Sequence, residues 1–236
     1  MQLSALELAS LKQLPLFARL APEAFERATD CLRLETFRVG QVICRQGDAA
    51  RAAFVVVEGW LKLSRVSSWG AETVIHICSR GRSFGEAPAL TGSAHEVSAE
   101  SVSPSLIARL PSACLAQLVS EQPEFASALL LSVSAQVGAL MDEIESLKGV
   151  SVDHKVAHFI LSLCPASAET WRFRLPYGKR LIAAQLGIKQ ETLSRSLGRL
   201  RALGVEAGET SREIAISNVQ RLRSEVAKMT REPVRA

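Results

Sequence analysis

"GIKQETLSRSLGRLRALG", Gly187 to Gly204, is a short amphipathic stretch with a crowded polar side. Read at 3.6 residues per turn, Leu193, Leu197 and Leu200 fall at i, i+4 and i+7 and make an apolar stripe. Gln190, Glu191, Ser194 and Arg195 lie off that stripe, and on a lone helix they would form an ordinary solvated face. The preceding segment changes that reading. "GKRLIAAQLG", Gly178 to Gly187, forms a second helical pattern, joined to the first through Gly187-Ile188-Lys189. A small residue at Ala183 lets the two helices approach, and Gly187 permits the positive φ of a tight turn. Two helices joined by a short glycine-containing turn are a helix-turn-helix. "VEAGETSREIAIS", Val205 to Ser217, then reads as a β-hairpin wing. In that setting the polar side of the second helix becomes a groove-reading face.

Further upstream, a helix is expected from Asp153 to about Leu163, with a short strand pair around "WRFRLP". Gly149-Val150-Ser151-Val152 reads as a hinge, with Ser151 or Asp153 capping the helix that follows. Before the hinge lies a long helix, opened by Pro123 and Glu124 and closed by Lys148 and Gly149. Inside it Ala126, Leu130, Val133, Val137, Leu140, Ile144 and Leu147 are spaced alternately by four and three. That is a heptad seam, narrower than packing on the chain's own core requires, and it predicts a symmetric homodimer.

From Arg38 to Leu110 the texture is short β-rich runs: "RVGQVIC", "AFVVVEG", "WLKLSRV", "ETVIHIC", "HEVSAES" and "SLIARL". Turn signals separate them at Gly47-Asp48, Glu58-Gly59, Trp69-Gly70 and Arg80-Gly81, so a sandwich or rolled barrel is expected. Residues 1–36 read as helical. The expected architecture is α+β: an effector-sensing β-roll with N-terminal helices over 1–122, a dimerisation helix and hinge over 123–149, and a winged helix-turn-helix over 150–236.

The chain has 236 residues, 47% of them hydrophobic, and a net charge of +4. The charge is uneven. From Gly149 onward there are 15 Lys and Arg against 8 Asp and Glu; the preceding residues hold 13 against 16. A basic C-terminal third suits a polyanion partner and salt-sensitive phosphate attraction. "MQLSALELASLKQLPLF" has neither the basic start nor the sustained apolar run of a secretory leader. Phe125 to Met141 is uncharged, but Ser127, Ser132, Ser134 and Gln136 interrupt it and it falls short of the ~20 apolar residues of a membrane span. A soluble, cytoplasmic chain with no membrane partner is expected. Five dispersed cysteines with no Cys-x-x-Cys argue against a disulfide framework or a zinc knuckle. His154 and His158, at i and i+4, lack a third ligand and the Glu of a His-Glu-x-x-His motif, so a structural role is expected and no metal. No P-loop or nucleophile elbow occurs, which argues against an enzyme.

Taken together, β-roll, long helix, hinge and winged helix-turn-helix resemble the Crp/Fnr superfamily of bacterial transcription regulators along nearly the whole chain. The most specific match is "ETLSR", similar to the Glu-x-x-Ser-Arg that Fnr-like branches carry in the recognition helix. The resemblance implies double-stranded DNA as partner, RNA polymerase as a second one, and Glu191, Ser194 and Arg195 as base readers beside Gln190. The chemistry agrees: a guanidinium gives two hydrogen bonds to guanine O6 and N7, and a carboxylate accepts from cytosine N4. Gln190 stands where the cAMP-responsive branch has arginine, so the expected site is the Fnr-like palindrome TTGAT-N4-ATCAA. Lys179, Arg180, Lys189 and Arg199 are candidates for phosphate contacts.

Cyclic-nucleotide-binding members of that superfamily hold the cyclic phosphate with an Arg followed by Ser or Thr, after a Gly-Glu pair. "FGEAPALTGSAHEVSAES" keeps Gly85 and Glu86, but His95 and Glu96 stand in the phosphate-holding positions. Without the bidentate arginine, and with a carboxylate in its neighbourhood, cyclic AMP is not the expected effector. Cys31, Cys44, Cys78, Cys114 and Cys164 lack the N-terminal clustering of an Fnr-type iron–sulfur site, so no such cluster is expected. "LPYGKRLIAAQLGIKQETLSRSLGRL" and "DEIESL" look closest to the Dnr branch, whose members respond to nitric oxide, which makes haem a candidate cofactor. His76 and Cys78, at i and i+2 on one strand face, are the candidate axial ligands; packing inside the roll is the alternative. A roll that serves another small ligand or a redox signal without haem is the competing reading of the sensor.

Overall fold

The computed structural model describes residues 3–147, 151–165, 167–208 and 212–229; the side chains of residues 139 and 142–147 also lie outside the description. The first helix, α1 (Ala5–Lys12), is set by a capping box. The Ser4 hydroxyl accepts from the Glu7 amide at 3.3 Å, and the Glu7 carboxylate accepts from the Ser4 amide at 2.7 Å. Pro15 and Pro22 open α2 (Pro15–Ala18) and α3 (Pro22–Cys31), the position where a missing amide hydrogen costs nothing. The helical reading of residues 1–36 runs too far: Leu32 turns extended and Arg33–Phe37 is a strand, β1. Its antiparallel pairing with residues 105–109 overrides the helical pattern.

The roll follows: β2 (Val42–Cys44), β3 (Ala52–Glu58), β4 (Trp60–Val66), β5 (Glu72–Ser79), β6 (Ser83–Phe84), a short helix α4 (Glu86–Thr91), β7 (Ser98–Ser101) and β8 (Ser105–Pro111). Two antiparallel sheets face each other, in the orders β1-β8-β3-β6 and β2-β7-β4-β5. Strand β3 explains why its sequence is apolar without interruption. Ala52, Phe54 and Val56 point into the roll beside Leu61, Cys78, Phe84 and Ile107. Ala53, Val55 and Val57 point the other way, onto Leu14, Phe17, Leu115 and Phe125 of the helices. A strand covered on both faces has no polar alternation, and each fully buried Val or Phe contributes ~1.5–3 kcal/mol. Between β3 and β4, Gly59 takes φ +88°, and a Cβ there would collide with Ser105 and the Pro104 carbonyl.

Helix α5 (Ser112–Glu121) closes the roll and leads through Gln122 into α6 (Pro123–Leu147). α6 has two apolar sides. Phe125, Ala128, Leu129 and Ser132, at i, i+3, i+4 and i+7, are buried on the chain's own core. The heptad residues Leu130, Val133, Val137 and Leu140 are 68%, 39%, 44% and 43% exposed. Ile144 and Leu147, which would continue them, have side chains outside the described residues, and the expected hinge falls partly on 148–150, which are also outside. The chain divides into two compact units, the first ending at Ala139 and the second beginning at Leu140, a boundary inside α6.

The second unit contains α7 (Val152–Ser162), β9 (Trp171–Arg174), α8 (Lys179–Gln185), α9 (Gln190–Leu200), a 3-10 turn (Arg201–Leu203), β10 (Val205–Ala207), β11 (Glu213–Ile216) and α10 (Val219–Met229). The Ser151 hydroxyl caps α7 by accepting from the His154 amide. The expected local strand pair at Trp171–Pro176 is instead one strand: β9 pairs with β11 in a sheet ordered β10-β11-β9. Its register, Trp171 opposite Ile216 and Phe173 opposite Ile214, joins the wing hairpin to the rest of the unit. Val156, Ile160, Ile182, Leu193, Leu197, Ile214 and Leu222 fill the core beneath.

Candidate nucleic-acid interface

The turn between α8 and α9 is built as its sequence requires. Gly187 has φ +65°, and the Ile188 amide donates to the Ala183 carbonyl at 2.9 Å. Ala183 is buried between the helices, where a larger side chain would hold them apart. Lys189 is extended at the N-cap of α9, its carbonyl accepting from the Leu193 amide. From there α9 sorts its residues cleanly. Leu193, Ser196, Leu197 and Leu200 are buried, whereas Gln190, Glu191, Ser194 and Arg195 are exposed together on the opposite side. Glu191 sits in the first turn, where the helix dipole favours an anion. The Arg195 Nε donates to the Glu191 carbonyl at 3.4 Å, a long contact that leaves most of the guanidinium's donors pointing outward.

The four expected phosphate contacts separate into two kinds. Arg180 and Lys189 are exposed near the start of each helix. Lys179 and Arg199 are engaged within the unit. Lys179 Nζ donates to the Gly208 carbonyl at 2.7 Å and ties α8 to the wing. Arg199 grips Asp153 through Nε–Oδ2 at 2.6 Å and Nη2–Oδ1 at 2.7 Å, which docks α9 on the first turn of α7. Arg199, expected as a free cation, is thus paired with Asp153, while its side chain stays 56% exposed. The hydrogen bonds from Arg199 hold the Asp153 carboxyl below the usual carboxylate range, against burial that pushes it up. Sequence reasoning missed Arg172 and Arg201. They line an open cleft of about 520 Å³ on the wing sheet, beside Glu206 and Glu213. The alternation Trp-Arg-Phe-Arg in β9 was the available signal, with apolar residues inward and arginines outward.

In the roll, Gly85 takes φ +81° to start α4, and a Cβ there would lie 3.4 Å from the His95 ring. His95 is 6% exposed, its ring 6.0 Å from that of Phe54. Burial pushes its pKa down, with Asp48 pulling the other way. Burial pushes the Glu86 carboxyl up, opposed by a hydrogen bond from Ser83 and by its own backbone amide. Gly85, Glu86 and His95 are thus neighbours, His95 buried and Glu96 exposed. His76 and Cys78 do share a face of β5, opposite Leu63 and Leu61 of β4. Cys78 is buried among Phe54, Leu61, Phe84 and Ile107, and burial pushes its thiol up to about 12. Cys78 is thus packed inside the roll, as the alternative reading of the pair has it. His154 and His158 stack with ring centroids 6.2 Å apart, and burial lowers the pKa of His154.

Comparison with known proteins matches residues 34–122 to the cyclic nucleotide-binding domain and residues 154–225 to the Crp-like helix-turn-helix domain. The global nitrogen regulator of Synechococcus elongatus is 28% identical over 176 residues, covering 72% of this chain and 79% of that protein. Among solved structures, a Ruegeria pomeroyi protein described as cyclic-nucleotide-binding is 31% identical with a TM-score of 0.72, covering 95% of this chain and 99% of its own. DNR from Pseudomonas aeruginosa is 27% identical with a TM-score of 0.53, covering 95% and 99%.

Proposed function

The chain belongs to the Crp/Fnr family of DNA-binding transcription regulators, and on that premise we propose that it acts as a homodimer whose two α9 helices read the palindrome TTGAT-N4-ATCAA. The observation that carries this reading is the common exposure of Gln190, Glu191, Ser194 and Arg195 on the face of α9 opposite its buried leucines. Arg195 pairs with guanine O6 and N7, Glu191 accepts from cytosine N4, and the Ser194 hydroxyl adapts to either neighbour. Lys189 and Arg180 fix the register on the phosphates, and the wing arginines Arg172 and Arg201 add charge nearby. RNA polymerase is the partner that its DNA-bound form meets.

The homodimer is supported by α6. A soluble chain gains nothing by leaving Leu130, Val133, Val137 and Leu140 exposed at heptad spacing, and a second copy of the same helix covers them. The effector acts in the roll and re-aims the recognition helices through α6, a rigid-body change between two states. Cyclic AMP does not serve: beside Gly85 and Glu86 stands a buried imidazole whose lowered pKa favours the neutral form, in place of a guanidinium for the cyclic phosphate.

Fluorescence anisotropy with the labelled palindrome and a scrambled duplex, between 50 and 200 mM salt (about a thousandfold affinity range for some six phosphate contacts), tests the reading. Preference for the palindrome, with affinity falling as salt rises, supports it. Equal binding to both duplexes, or a flat salt response, overturns it.

A further inference from the structure

Cys31 and Cys114 are 83 residues apart in sequence, yet the fold joins them: their Cα atoms are 6.3 Å apart and the two sulfurs are bonded. That separation lies inside the range a disulfide spans without backbone movement. The dispersal of five cysteines argues against a disulfide framework, and this single bridge corrects that expectation for one pair. The other cysteines are differently placed. Cys44 and Cys78 are buried, with thiols pushed up to about 11 and about 12, and Cys164 belongs to the second unit.

The pair occupies a mechanically sensitive position. Cys31 is the last residue of α3, and Cys114 lies in the first turn of α5. α5 runs through Gln122 directly into α6, since the Gln122 amide donates to Leu118 and the Ala126 amide to Gln122. At the other end of α3, the Ala21 amide donates to Glu124 in the first turn of α6 at 3.0 Å. α3 therefore touches the long helix at one end and its lead-in at the other. Both sulfurs are also reachable. The two residues are half-buried and line a cleft of about 230 Å³ with Arg27, Asp30, Gln117 and Glu121.

We propose that Cys31 and Cys114 are a reversible dithiol–disulfide site that takes oxidising equivalents from a low-molecular-weight disulfide of the glutathione class and, when closed, locks α3 onto α5. The chemistry is ordinary exchange. The Cys114 thiolate attacks one sulfur of the small disulfide; that S–S bond breaks and the released thiolate takes up a proton. The Cys31 thiolate then attacks the Cys114 sulfur of the mixed disulfide and expels the second small thiolate, which is likewise protonated. Two protein thiols are oxidised, one small disulfide is reduced to two thiols, and the two cysteine protons end on them. In a reducing compartment such a pair stays open until the disulfide pool rises. The exchange itself is independent of the DNA-reading assignment; only its consequence for α6 rests on that reading.

The full-length protein is equilibrated with oxidised glutathione or with reductant, freed of small thiols, alkylated with N-ethylmaleimide in denaturant so that the buried Cys44 and Cys78 also react, and weighed intact. Three alkylated cysteines after oxidation and five after reduction, with a Cys31–Cys114 crosslinked peptide, are expected. The oxidised form should melt about 10 °C higher, because the bridge closes a long loop. Cys31→Ser and Cys114→Ser should each lose both the crosslink and the melting shift. Five alkylated cysteines after oxidation, persistent glutathione adducts without closure, or a bridge between other cysteines would each overturn the proposal. The wild-type protein alone yields each of these results, so the test stands even where a variant fails to fold.

Discussion

Arg199 holds Asp153 with two parallel hydrogen bonds, 2.6 and 2.7 Å long, across 46 residues of sequence. The pair fastens α9 to the first turn of α7, so it sets where the exposed face of α9 points. Asp153→Asn should therefore weaken binding to cognate and scrambled DNA together and lower the melting temperature of the second unit. The carboxyl is held below its ordinary value in the fold, so its contribution is complete above the unfolded carboxylate range and is lost as pH falls through the folded value. Melting curves of wild type and variant should accordingly converge at strongly acid pH, and a constant gap down to that point would contradict the assignment.

Arg195 and Lys189 are both exposed, and the proposed reading gives them different work. Arg195→Ala should cost ~1–3 kcal/mol on the TTGAT palindrome and relax preference at a single base pair. Lys189→Ala should weaken all duplexes about equally and reduce the salt slope by about one. Affinities for the palindrome and its single-base-pair variants at several salt concentrations check both; a uniform loss for Arg195→Ala would remove it from the base readers.

The two apolar sides of α6 make opposite predictions. Val137→Asp, on the exposed heptad side, should leave melting of the roll near wild type while light scattering reports a monomer. Leu129→Ala, on the buried side, should cost ~2–5 kcal/mol of stability and leave the oligomeric state unchanged. A wild-type monomer at micromolar concentration would contradict the dimer outright.

His95 predicts a pH response in the roll. Its pKa is lowered by burial, so the folded state binds fewer protons than the unfolded state as pH falls below the ordinary imidazole value. Stability is then complete above that value and declines as pH drops toward the folded pKa. Melting of the first unit should fall between pH 7 and pH 5 (about the span of an imidazole titration), and His95→Asn should flatten that part of the profile. Saturating cyclic AMP should leave DNA affinity unchanged, measured on the same palindrome.

Much of this fold is legible in the sequence, because local signals and tertiary structure agree there. Strand β3 announces itself by an unbroken apolar run, the turn by Gly187, and the exposed side of α9 by residues lying off a leucine stripe. The failures share a cause. "RLETF" follows a helix with no Gly or Pro between them, and only its pairing with β8 makes it a strand. Arg199 looks like a free cation because Asp153 lies far away in sequence, and the same distance hides Cys31 from Cys114. The missed helix α10 is different: Val219, Leu222 and Val226, all buried, fall at i, i+3 and i+7, a readable pattern.

On the proposed reading, two α9 helices, held at a fixed separation by a symmetric dimer, read two half-sites. Its most direct test is the affinity of the protein for TTGAT and ATCAA separated by spacers of about two to six base pairs, since half-site spacing mirrors the geometry of a symmetric reader. A sharp optimum at four, with two chains bound per duplex, is the predicted result. Affinity that is flat across spacers, or equal for a duplex carrying one half-site, would contradict the account.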